Sequence, residues 1–161
     1  MTDELPEYKR KFLVVIDDSP ECDRAVTFAA HRVHRTGGTV TLLSVIDSAD
    51  FQQFIGVEDV MRAEAREEAE RMLDQRIARI KKIGPIPTET IIREGKVVDA
   101  IEQLVVADPA IAVLVLAASS GKDGPGPLVT SFASRSGATA LPVLVAIVPG
   151  SMTDEQIIAI T

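Results

Sequence analysis

Two neighbouring acids, Asp17 and Asp18, precede Ser19 and Pro20 at the close of an apolar run over residues 12–16. Adjacent carboxylates at such a place can hold a divalent metal or a ribose hydroxyl. They can also do something simpler, because Asp18 or Ser19 can accept hydrogen bonds from the free N–H groups that open a helix. Asp18 reads as such a cap, and Asp17 is open to either role.

The second candidate is the loop Ser119-Ser120-Gly121-Lys122-Asp123-Gly124-Pro125-Gly126-Pro127, between an apolar strand and a helix start. Glycines such as Gly121 let backbone approach an anion, and free N–H groups with the helix dipole favour phosphate. Ser120 adds a hydroxyl in the loop, and Thr130 and Ser131 add two more in the first helical turn. The loop is not a Walker A sequence, because Lys122 does not follow the second glycine into a helix. Its two prolines also remove N–H donors, so a stiffened turn explains it equally well.

Other reactive types fit bland roles. His31 and His34 share one amphipathic helix and have no acid or cysteine at ligand spacing, which argues against a metal site. Cys22 lies near a helix start, where a thiol pKa can fall, but shares the apolar face with Val26 and reads as an inert core cysteine. Neither histidine has a strand-end position from which to serve a triad, so no catalytic residue is assigned. A response-regulator receiver domain shares the acidic pair but needs an aspartate after strand three, where Arg93-Glu94-Gly95 stands, and a lysine after strand five, where none occurs.

The elements that must place these residues follow from pattern. Continuous apolar runs at 12–16 and 111–118 read as strands buried on both faces, joined by strands at 39–45, 88–93 and 142–148. Ser19 and Pro20 predict the start of a helix carrying Cys22, Val26, Ala29 and Val33 inward and ending at Gly37-Gly38. Residues 51–56 read as a loop or lid. A long helix over 57–83 buries a stripe from Val57 and Val60 to Ile80; its early acids and late bases complement its dipole and read as a solvated face. Further helices are predicted over 96–107 and 128–139, the latter weakened by Gly137. Thr153 with Gln156 forms a plausible capping box for a short terminal helix.

Alternating strands and helices predict an α/β fold: an open, mostly parallel, five-stranded, Rossmann-like sheet with helices on both faces. Residues 1–150 form one domain and 151–161 a tail. Ligands in such folds bind beyond the carboxyl ends of strands where strand order reverses. The 161 residues suit one domain, and a net charge of −7 disfavours nucleic acid and anionic lipid. A single cysteine excludes an internal disulfide. Residues 1–11 lack the apolar centre of a signal peptide and no run is long enough to span a bilayer, so a cytoplasmic protein is expected.

Together these pieces resemble the universal stress protein family over nearly all of residues 11–148. The strand ending in Asp17 to Ser19, the strand Val40-Thr41-Leu42-Leu43-Ser44-Val45, the turn Glu94-Gly95, the run Ala117-Ala118-Ser119-Ser120-Gly121 and the strand Leu141-Pro142-Val143-Leu144-Val145 carry the resemblance. It implies a binding or regulatory module of the stress response, with ATP or AMP, and Mg, as the expected ligand. Alternatives are a ligand-independent interaction module of the same fold and, further off, a slow ATPase. Nucleotide-binding members carry Gly, two residues, Gly, nine residues, then Gly and Ser or Thr. Here the first position falls on Ala118, the second on Gly121, and the third near residues 129–131, which hold no glycine; the hydroxyl falls on Thr130 or Ser131. The adenine and ribose contacts map to Asp17 and Val45. The resemblance also implies a homodimer pairing the last strand, from Val143 to Val148, across a two-fold axis. Ile157, Ile158 and Ile160 of the tail are expected to pack on that strand or on the partner.

Overall fold

The computed structural model describes residues 10–54 and 56–161. Most of the segment weighed as a signal peptide, and Ile55 of the expected lid, lie outside the described residues.

Five strands form one all-parallel sheet in the order β3-β2-β1-β4-β5. They are β1 (Lys11–Ile16), β2 (Thr39–Ile46), β3 (Thr88–Glu94), β4 (Ile111–Ala118) and β5 (Leu144–Pro149). Five helices connect or follow them: α1 (Cys22–Thr36), α2 (Glu58–Ile83), α3 (Val97–Ala107), α4 (Pro127–Ala133) and α5 (Asp154–Ile160). β4, and β1 after Lys11, are apolar along their length because both faces of the sheet are covered. Leu13 and Leu114 pack with Ile101 and Leu104 of α3 and Val129 and Phe132 of α4. Their neighbours Val14 and Val115 point the other way, to Val26 and Ala29 of α1, Leu73 and Ile80 of α2, and Ile157 of α5. Each such valine, leucine, isoleucine or phenylalanine taken fully out of water stabilises the fold by about 1.5–3 kcal/mol.

Several local expectations are corrected. The Ser19 hydroxyl turns back to Asp17 instead of capping a helix, and α1 starts at Cys22 with Glu21 at its N-cap. Val57 and Val60 do not join the buried stripe of α2; they are 46% and 58% exposed at its amino end. The helix expected over 128–139 breaks after Ala133, and Gly137, at φ 58°, opens a separate short 3-10 turn capped by Ser136 and Thr139. The Thr153–Gln156 capping box closes the start of α5 in both directions, at 2.9 and 3.2 Å. α5 packs on α1 through Ile157, leaving Ile158 and Ile160 exposed, so α1 and not β5 is its main seat. No helix among the described residues is long and apolar enough to cross a membrane.

Candidate functional site

β1 and β4 are neighbours, yet β1 leads to α1 on one face and β4 to α4 on the other. The chain directions diverge there, and a crevice opens beyond the carboxyl ends of these two strands. It encloses a cavity of about 440 Å³. The strands contribute Val15, Leu116 and Ala117 to its lining, the β1–α1 connection contributes Asp17, Ser19 and Glu21, and α1 contributes its first residue, Cys22. The start of α3 contributes Lys96, Val97, Val98 and Asp99, and the entry to α4 contributes residues 125–129.

Asp17 is held firmly at this rim. Its Oδ1 accepts from the Ser19 backbone N–H at 2.9 Å and from the Ser19 hydroxyl at 2.5 Å. Oδ2 has no hydrogen-bond partner among the described residues. Arg76 of α2 donates through Nη2 to the Asp17 carbonyl at 3.2 Å and pairs through Nη1 with Asp23 of α1, also at 3.2 Å. A residue that the sequence assigns to a solvated face therefore braces the loop carrying Asp17.

The glycine loop turns inward upon itself. The Ser119 N–H donates to the Pro125 carbonyl at 3.0 Å, and the Gly121 N–H donates to the Ser119 hydroxyl at 3.2 Å. Positive φ occurs at Gly124 (88°) and Gly126 (108°), the two positions that make the tight turn into α4. Ala118 has no positive φ; its carbonyl accepts from the Gly150 N–H at 2.7 Å. A Cβ on Gly150 would stand 2.7 Å from that carbonyl oxygen and 3.0 Å from Glu21 Cβ, so only glycine lets the end of β5 close this corner.

Of the residues singled out by sequence, Asp17 lines the cavity, as does the far part of the glycine loop. Val45, Ala118, Ser120, Gly121, Thr130 and Ser131 are not among its lining residues. Val45 packs against the α3–α4 core, Thr130 donates its hydroxyl to the Gly126 carbonyl at 3.0 Å, and Ser131 lines a separate recess beside Glu102 and Arg135. Glu21, Lys96, Val98 and Asp99 were missed. The only sequence signal for the last three was their place just after the rim turn Glu94-Gly95.

Cys22 borders the cavity, but burial pushes its thiol pKa up and its Sγ faces the Val15 carbonyl at 3.8 Å. His31 lies elsewhere, in a recess with Arg79 and Lys82; burial, then its neighbour His34, holds its pKa low. Among the described residues no group of three His, Cys, Asp or Glu side chains could hold a metal.

The cavity can therefore hold a flat apolar body and can accept a hydroxyl proton at Asp17. Asp17, Glu21 and Asp99 share the lining with Lys96; the N–H groups of Ser119 and Gly121 are used within the loop, whereas those of Gly126, Leu128 and Val129 have no acceptor among the described residues.

The family model described as the universal stress protein family matches residues 9–148. Universal stress protein UspA from Lactobacillus plantarum superposes with a TM-score of 0.72 at 20% identity, covering 88% of this chain and 99% of that one. A universal stress protein solved in complex with cAMP gives 0.62 at 20% identity, covering 90% and 100%. An Arabidopsis thaliana family protein with AMP bound gives 0.59 at 21% identity, covering 91% and 94%. No curated protein matches the sequence significantly.

Proposed function

The chain belongs to the universal stress protein family, and we propose that within it this protein is a regulatory binding module that takes a ligand of the adenine-nucleotide class in the cleft between β1 and β4. One observation carries the reading: a 440 Å³ cavity lies where strand order reverses, with Asp17 braced at its rim. Relatives of the same fold solved with cAMP and with AMP make these the first ligands to try.

Calorimetry with AMP and cAMP tests the proposal. A saturable heat that Asp17→Ala abolishes supports it, and no heat from the unaltered protein overturns it. The reading is of binding and not turnover, since no general base is assigned and no histidine lines the cleft among the described residues. Phosphate release from ATP that Asp17→Asn abolishes would favour a slow ATPase instead.

A second reading concerns assembly. β5 is an edge strand whose Leu144, Val145 and Ile147 are 72%, 36% and 39% exposed. The other edge, β3, carries Glu89, Arg93 and Glu94. Charge guards one edge, whereas β5 carries no charged side chain and no comparable guard among the described residues, which supports a homodimer paired along β5.

A further inference from the structure

We infer that the segment over residues 150–161 is a strap that positions the Asp17 loop: it docks on α1 and α2 and so sets the rim of the cleft. Its bearing on a ligand rests on the adenine-nucleotide reading of that cleft; its bearing on the loop does not.

The segment lies outside the span matched by the family model, residues 9–148. It reaches the loop first through α1. The Gly150 backbone sits against Glu21 and the end of β4. Two residues on, the Met152 carbonyl accepts from Arg24 Nη1 at 3.1 Å, and the same guanidinium pairs with Asp154 at 2.7 Å. Arg24 stands in the first turn of α1, directly after the connection that carries Asp17 and Ser19.

The second hold passes through α2. Asp154 also pairs with Arg79 at 3.3 Å, and Arg79 donates to the Thr27 hydroxyl of α1 through Nε at 3.0 Å and Nη2 at 2.9 Å. Arg76 lies three residues earlier on the same face of α2, and it donates to the Asp17 carbonyl. One carboxylate of the strap therefore bridges the two helices that brace the Asp17 loop.

The strap has a docked and an undocked state. Seven helical residues are too few to persist alone in water, so α5 forms only while Ile157 is seated in the core beside α1. Undocking releases Asp154 from both arginines at once and loosens α1 against α2. A ligand that needs the docked loop must, by linkage, favour the docked strap to the same degree.

Hydrogen exchange on the full chain, followed amide by amide by NMR, reads the loop without any ligand. The Ser19 N–H donates to Asp17 Oδ1 and the Cys22 N–H to the Ser19 carbonyl. Ile157→Ala should speed exchange at both by about tenfold. Asp154→Ala should speed it by about threefold, because that carboxylate is half exposed. The Asp108 N–H, bonded to the Leu104 carbonyl at the amino end of the sheet, should not change, whereas a general loss of stability would move it too. Ile160→Ala, at an exposed position, should alter none of them. Calorimetry should show AMP affinity reduced by similar factors in the two strap variants, and saturating AMP should slow exchange at the Ile157 N–H of the unaltered protein. Loop exchange unchanged in Asp154→Ala, which leaves Ile157 in place, would overturn the strap. No AMP heat from the unaltered protein would overturn the adenine reading alone, and loop exchange would still decide the strap.

Discussion

Arg76, near the end of α2, reaches the backbone carbonyl of Asp17 at 3.2 Å and the carboxylate of Asp23 at the same distance, tying the longest helix to the rim of the cleft. The pair is tightly placed but imperfect: Asp23 Oδ1 and Arg76 Nε are buried without a well-aligned hydrogen bond. Removing Arg76 would strand a half-buried carboxylate and free the Asp17 loop. Arg76→Met should lower unfolding free energy by about 1–3 kcal/mol in urea titration. Ligand affinity should fall with it, while Arg76→Lys should recover part of the stability and less of the affinity, because one ammonium cannot serve both partners.

A second network ties the amino end of the sheet. Lys11 Nζ lies 2.7 Å from Asp108 Oδ2 and 2.8 Å from Glu89 Oε1. The Lys11 ammonium holds the Asp108 carboxyl below its ordinary pKa. Burial pushes the Glu89 carboxyl up, but bonds from Lys11 and Thr41 outweigh it and the net shift is downward. Depressed carboxyl pKa values mean stability present above the ordinary carboxylate range and lost as pH falls through the folded values. Asp108, then Glu89, raises the Lys11 pKa in turn, a contribution present below the ordinary lysine value and lost as pH rises through the folded one. Lys11→Met should therefore flatten the loss of stability below about pH 4 in acid titrations followed by circular dichroism. Because these side chains are a quarter to over a third exposed, the effect should be modest and should shrink in salt.

The terminal helix is held by intrachain contacts. Ile157 is fully buried in the cluster under α1, and Asp154 is shared between Arg24 at 2.7 Å and Arg79 at 3.3 Å. Ile157→Ala should cost about 2–5 kcal/mol, read as a lower thermal midpoint, whereas Ile160→Ala at a 57% exposed position should be nearly silent.

Assembly through β5 has its own test. Leu144→Lys with Ile147→Lys should shift the protein to monomer in sedimentation velocity while circular dichroism stays unchanged. A wild-type protein that sediments as a monomer at high concentration would remove the dimer altogether.

Sequence alone determined the architecture. Apolar runs such as 12–16 and 111–118 cannot be solvated on either face, and helical periodicity between them leaves few arrangements other than a parallel sheet covered on both sides. It also placed Asp17 and the glycine loop at one end of that sheet, because strand ends and turn residues are local features. What it could not decide was which atoms face the cavity. Gly121 and Thr130 have the types and spacing of phosphate donors, yet both spend their donors on neighbours in the folded loop. Arg76 reads as one charge among many in a solvated helix, and only the crossing of α2 over α1 brings it to Asp17. Glu21, before α1, likewise shares a cavity with Lys96 and Asp99 only because α3, which follows the edge strand β3, crosses back over the sheet onto β1 and β4. Periodicity is set by each residue's immediate neighbours and can be read along the chain. The sign of the charge around a cavity is a sum over segments brought together by packing, so it was settled only by the tertiary fold.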